Sequence, residues 1–243
     1  MPMQMIISLL KRVLAWISTR FQSREVWQPT GTMNADPASA GADFDPESKV
    51  EVEVEREPLV IIDKPAHPNN YGDRPAGMDI SLVVLHYTAS GSLEATVPWF
   101  QNPEAKVSAH YVIGRDGTIV RMVPEEKKAY HAGKSEWNGQ KDVNRFSIGI
   151  ELVNWGKLEK RGDAFFTWPN DFNNPYRGLE PVFREDAWWE PYADAQLASF
   201  QLLLSDIQKR YSKVEIVGHQ DVSPGRKVDP GPALNLLLNL HAT

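Results

Sequence analysis

Three polar side chains stand where chemistry could be done, because each closes or follows an apolar run. His86 ends the run LVVLH, His219 ends EIVGH, and Asp229 follows ten residues later in GHQDVSPGRKVDPGP. Two imidazoles and a carboxylate are a common hydrolytic zinc set that leaves a fourth position for water. The spacing is not that of a local metal motif, since 133 residues separate the two histidines, unlike the HExxH pattern on one helix face. Satisfied strand-end histidines are the competing reading at this point.

The surroundings of a further strand-like run add to the chemistry. In FSIGIELV, Phe146–Val153, period two puts Phe146, Ile148 and Ile150 on one face and Ser147, Gly149 and Glu151 on the other. Two very small residues beside an acid suit the floor of a cleft. A glutamate inside a sheet is costly to bury without a partner or a task, and removing a proton from a zinc-bound water is such a task. Pairing with a surface lysine or arginine is the plainer alternative. Lys227 and Asp229 are two residues apart, so an extended segment aims both the same way. Lys227 could then stabilise an oxyanion as a carbonyl is attacked, or it is an ordinary exposed lysine in a Pro/Gly-rich loop.

These groups need elements to hold them. Ser81–Thr88 is apolar on both faces and predicts a central strand ending at His86. Ser92–Gln101 reads as a helix start with Pro98 inside it. His110–Ile113 and Thr118–Val123 flank an Asp116-Gly117 turn and predict a hairpin. Ala193, Leu197, Phe200, Leu204, Ile207 and Tyr211 follow the 3.6-residue period of an amphipathic helix. Val214–Gly218 leads as a strand into His219, and Pro232–Leu240 predicts a closing helix. Interleaved strands and helices in one body imply an α/β or α+β domain on a single sheet.

The chain has 243 residues, 42% hydrophobic and 24% charged, which is room for one well-buried domain plus extensions. Cys is absent, which removes disulfides, thiolate zinc ligands and cysteine nucleophiles together. No run approaches 18 apolar residues, so a membrane-spanning helix is not expected. Residues 1–30 carry Ile6, Leu10, Val13, Ile17 and Phe21 at helical spacing, with Lys11 and Arg12 breaking what a signal peptide would keep apolar. This segment predicts an amphipathic helix that docks on the body or a partner, with a membrane surface as the alternative contact. Residues 31–58 predict an acidic linker: Asn34–Pro58 holds eight acids against Lys49 and Arg56, which equals the net charge of −6 of the whole chain. The whole chain therefore lacks the basic surplus expected of a nucleic-acid partner, and the remainder outside the linker is formally neutral. Alternation of Val50, Val52 and Val54 with glutamates allows a short edge strand instead. The compact body spans 59–243.

Five blocks occur in one order between Leu82 and Ala233: LHYTAS, VSAHYVIGRDGTIVRMV, YHAGKS, NRFSIGIELVN and GHQDVSPGRKVDPGP. They resemble the zinc-dependent N-acetylmuramoyl-L-alanine amidases, the superfamily that includes phage T7 lysozyme and the peptidoglycan recognition proteins. The resemblance implies an α/β fold with a single mixed sheet flanked by helices. It implies one Zn2+ held by His86, His219 and Asp229, with Glu151 activating the metal-bound water and Lys227 steadying the tetrahedral intermediate. The implied reaction cleaves the amide between N-acetylmuramic acid and the L-alanine of the stem peptide, in peptidoglycan or muropeptides. A non-catalytic peptidoglycan-binding recognition protein is the second reading. His110, His131 and Asn144 fall in blocks that line the family's cleft and are expected substrate contacts, with hydrogen-bonded structural roles as the alternative. The implied setting is periplasmic or secreted, or cytoplasmic if the role is recycling. The sequence departs from compact members at 155–191, an aromatic-rich insertion expected as a loop region that forms either a sugar-stacking wall or a satellite core.

Overall fold

The structure, a computed structural model, describes residues 59–168 and 173–234. The helix expected at 1–30, the linker at 31–58 with its alternative edge strand, and most of the closing helix after Pro232 lie outside the described residues.

The chain runs through β1 (Ile61–Asp63), β2 (Tyr71–Asp73), β3 (Leu82–Tyr87) and helix α1 (Leu93–Gln101). There follow β4 (Tyr111–Ile113), β5 (Ile119–Arg121), β6 (Lys127–Ala129), β7 (Glu136–Trp137), β8 (Gln140–Lys141) and β9 (Ser147–Leu152). The insertion holds β10 (Lys157–Arg161), β11 (Ala164–Thr167), β12 (Asn174–Pro175), β13 (Val182–Arg184) and β14 (Ala187–Trp189). Helix α2 (Asp194–Arg210), β15 (Glu215–Gly218) and the one-turn α3 (His219–Val222) complete it.

The central sheet has the order β1-β5-β4-β9-β3-β15. Its three site-bearing strands are parallel: β3 pairs with β9 and with β15 in one register, so His86 lies opposite Glu151 and Leu85 opposite Gly218. Period two then sorts the sheet. Val83, Leu85, Ile148, Ile150 and Leu152 point to one face and are buried beneath Leu197, Phe200, Leu203, Leu204 and Ile207 of α2. The opposite face carries His86, Ser147, Gly149 and Glu151. The apolar stripe read in the sequence is the buried side of α2, with Ala193 and Tyr211 as its caps. Ser92 caps α1 by accepting from Ala95 N, as expected of a helix start.

Two expectations are corrected. Phe146 does not share the face of Ile148 and Ile150: at φ −131°, ψ 17° it ends a short 3-10 turn, leaves the strand alternation and packs with Val143 and Val222. The insertion is not a loop region but a five-stranded antiparallel sheet of order β12-β11-β10-β14-β13. Its last strand buries Trp189 in the α2 core, while Phe165, Trp188 and Phe183 cluster on its other face, with ring centroids 5.0 and 5.2 Å apart.

A buried carboxylate ties this sheet to the body. Glu190 is 1% exposed and takes a two-pronged pair from Arg115, at 2.9 Å to each oxygen, together with the backbone N–H of Trp155. Arg115 also donates to Gly91 O, beside the loop that leaves β3. Next to this clamp, Gly156 has φ +73° and lies against the Tyr87 ring, where a Cβ would stand 2.2 Å from the ring carbon, so only glycine fits. Arg115 is itself partly exposed, so removing the carboxylate mainly leaves the Trp155 N–H without its acceptor. Glu190→Ala is expected to lower unfolding stability by about 1–3 kcal/mol in urea titrations. Glu159→Ala, which removes the exposed Glu159–Arg161 pair of the same sheet, is expected to leave the midpoint unchanged.

Candidate metal centre and active site

Parallel strands that stop together deliver their next residues to one place. His86 is the fifth residue of β3, His219 follows β15 directly, and Asp229 returns on the extended stretch after α3. Their ligand atoms converge. His86 Nδ1 lies 2.9 Å from His219 Nδ1 and 3.0 Å from Asp229 Oδ2, and His219 Nδ1 lies 2.9 Å from Asp229 Oδ2. All three residues are buried.

The hydrogen bonds on the far side of each ring show what these atoms are. His219 Nε2 is 3.0 Å from Ala132 O, which can only accept, so Nε2 carries a proton and Nδ1 is the ring nitrogen that faces the centre. His86 Nε2 is occupied by His131 Nδ1 at 3.0 Å. Burial pushes the His86 pKa down to about 4, which keeps the ring neutral. Burial with neighbouring His86 also holds His131 well below the usual imidazole range. Two imidazole lone pairs and a carboxylate within 3.0 Å of one another repel unless a cation or a proton stands among them. The donor set and its spacing fit a metal ion, and the three form the His/Asp/Glu cluster with metal-ligand spacing among the described residues.

Around the cluster lies a cavity of about 730 Å3. Glu151 opens onto it with Oε2 buried and without a hydrogen-bond partner, which is the unpaired glutamate that the alternation of FSIGIELV placed there. Burial, reinforced by the charge of Asp229 and opposed by Lys227, raises its pKa to about 8. Lys227, Val228 and Asp229 all line the cavity.

The three expected substrate contacts divide. His131 is on the cavity wall. His110 and Asn144 stand behind it and are bracing groups. His110 is fully buried: its Nδ1 accepts from Gly149 N at 2.9 Å and its Nε2 donates to Lys127 O at 3.0 Å. Asn144 is turned to the backbone of His131 and Ala132. Spacing carried no sign of this, because their partners are main-chain groups of other segments and, beside His110 Nε2 at 3.1 Å, the Arg74 guanidinium. Sequence reasoning did not single out Arg226, which donates to Ala132 O at 2.7 Å and Lys134 O at 2.8 Å. It also did not assign Lys157 and Trp168, which the insertion contributes to the cavity wall. Aromatic density marked the insertion but not which ring faces the cavity.

Strand ends that bring two imidazoles, a carboxylate and a free glutamate to one cavity define a hydrolase-type site on a mixed α/β sheet. The sequence model of N-acetylmuramoyl-L-alanine amidase matches residues 76–232, and the chain belongs to that family. The Haemophilus influenzae 1,6-anhydro-N-acetylmuramyl-L-alanine amidase AmpD is 32% identical over 182 residues, covering 67% of this chain and 82% of that protein. The Escherichia coli N-acetylmuramoyl-L-alanine amidase AmiD is 32% identical over 164 residues, covering 63% of this chain and 49% of that protein. A crystal structure of a selenomethionine AmpD derivative superposes with a TM-score of 0.52 at 28% identity, over 71% of this chain and 88% of that one.

The raised Glu151 pKa has a sign that can be tested. The folded chain holds this proton from the ordinary value of 4.5 up to about 8, while the unfolded chain releases it near 4.5. Stability from this group is therefore complete below pH 4.5 and is lost as pH rises through 8. In chelator-treated protein, the urea midpoint of the wild type is expected to fall relative to Glu151→Gln between pH 5 and 8.5. Parallel profiles would show that Glu151 is not buried as described.

Proposed function

We propose that the chain hydrolyses the amide between N-acetylmuramic acid and the L-alanine of the stem peptide, using one zinc ion held by His86, His219 and Asp229. The observation that carries this reading is the free, buried Glu151 oxygen beside three facing ligand atoms in one cavity. Zinc in such a site supplies a Lewis acid that polarises a carbonyl and acidifies water.

The chain's own groups do the rest. Glu151 lies across the β3–β9 pair from His86, so it is in place to take a proton from the attacking water and return it to the leaving amine. Burial favours its neutral form, so the carboxyl can hold the proton taken from the water until it passes to the leaving amine. Lys227 faces the same cavity and supplies positive charge where the carbonyl oxygen becomes negative. Burial of His86 and His219 keeps bulk water from screening these charges. The cavity's size suits a sugar with the head of its peptide. Trp99 and Trp168, 52% and 61% exposed, give it apolar walls, and Lys157 and Arg226 add cations suited to peptide carboxylates. The insertion's share of this wall, Trp168 and Lys157, supports contact with a longer stretch of substrate than the cluster alone could hold.

Mass spectrometry of products from purified sacculi and from anhydromuropeptides tests the reaction. Stem peptides beginning with L-alanine are expected, lost with a chelator and restored by zinc. Glu151→Gln is expected to keep its zinc and lower kcat about 10^2- to 10^4-fold. Lys227→Met is expected to lower kcat about 10^2- to 10^3-fold. Material that binds but is never cut would make the chain a recognition protein instead. Trp168→Ala is expected to raise KM on sacculi about five- to tenfold with kcat on small fragments unchanged; an unchanged KM would remove the insertion from substrate binding.

A further inference from the structure

The two imidazoles of the cluster owe their orientation to one turn. Ser147 Oγ donates to Val143 O at 2.8 Å, and a carbonyl only accepts, so the hydroxyl proton is used there. The 3.0 Å contact between Ser147 Oγ and His131 Nε2 must then be donated by His131. That leaves Nδ1 of the neutral His131 ring as an acceptor, so its 3.0 Å contact with His86 Nε2 is donated by His86. His86 consequently turns a bare Nδ1 to the centre. The residue after His131 holds the other ring, since Ala132 O accepts from His219 Nε2. Asn144 Oδ1 accepts from His131 N at 3.2 Å and Ala132 N at 2.8 Å, so one side chain pins the pair.

The fit around His131 is close. Its ring lies against β9 at Gly149, where a Cβ would stand 2.4 Å from His131 Cγ. The His86 and His131 rings meet edge to face at 5.1 Å. The two small residues beside Glu151 therefore have separate tasks: Gly149 admits the His131 ring, and Ser147 receives its proton.

We infer that His131 is a positioning residue, the middle of a relay His86–His131–Ser147–Val143 that selects the tautomer in which His86 can bind a metal ion. The inference rests on reading His86, His219 and Asp229 as the metal ligands. Groups of this kind orient a ligating ring and raise its basicity, and their loss typically weakens metal binding 10- to 100-fold.

The test is zinc titration of the full chain against a chromophoric chelator, with nitrogen–proton correlation spectra of the histidine side chains. His131→Phe keeps a ring without an acceptor; it is expected to weaken zinc binding about 10- to 100-fold and to abolish the pure Nε2–H pattern of His86. His131→Gln keeps an acceptor for His86 and a donor for Ser147, and is expected to recover most of the affinity. Ser147→Ala, which removes only the far end of the relay, is expected to weaken binding in the same direction and serves if His131→Phe does not fold. Wild-type affinity in folded His131→Phe with a raised KM alone, or unchanged affinity and His86 pattern in Ser147→Ala, would overturn the relay. Affinity and tautomer are read without substrate, so a chain that binds zinc through this relay yet cleaves no amide would overturn the amidase reading and leave the relay standing.

Discussion

Two imidazole nitrogens and a carboxylate oxygen face one another at 2.9–3.0 Å with little solvent between them, and their lone pairs repel. A chain left to itself would swing these groups apart or hydrogen-bond them elsewhere. They stay because every other polar atom on the two rings is already committed, His86 Nε2 to His131 and His219 Nε2 to Ala132. What relieves the arrangement is a cation, or a proton in its place, so metal binding and acid compete for the same lone pairs.

The fold can hold such a centre because the sheet separates stabilising work from chemistry. Along β3 and β9 alternate residues sink into the α2 core, and that burial fixes the register. The intervening residues, His86 on one strand and Ser147, Gly149 and Glu151 on the next, are thereby held on the opposite face without contributing to the core. The edge of the site is braced from behind, not from within. Arg74 donates to the carbonyls of Asn144, Arg145 and Ser147, His110 takes the N–H of Gly149, and Arg226 holds the carbonyls of Ala132 and Lys134. The insertion, clamped by Arg115 and Glu190, brings its own wall to the cavity and leaves the central sheet undisturbed.

Much of this was legible in the sequence where one rule governs. Period two and strong apolarity identified β3 and β9, and the same alternation put Glu151 with Ser147 and Gly149. The two-residue step from Lys227 to Asp229 is not a clean alternation, since Val228 between them lines the same cavity. Legibility ended where position depends on distant backbone. Phe146 broke the alternation because it closes a 3-10 turn, a matter of two dihedral angles. The insertion's strands are two to five residues long, so their identity comes from pairing with one another and not from any local pattern. His110 and Asn144 lay in blocks rich in candidate contacts, yet their partners are main-chain groups, with Arg74 beside His110, that no spacing announces. Family resemblance reached the reaction and nominated five residues for it but was silent on how the rings are aimed.

X-ray absorption at the zinc edge of the purified full-length chain tests the centre most directly. The account requires one zinc per chain, nitrogen and oxygen neighbours at about 2.0–2.1 Å, and outer-shell scattering from two imidazole rings. That signal should vanish in His86→Ala. Zinc bound at less than one per chain, scattering from fewer than two rings, or a spectrum unaltered by His86→Ala would contradict it.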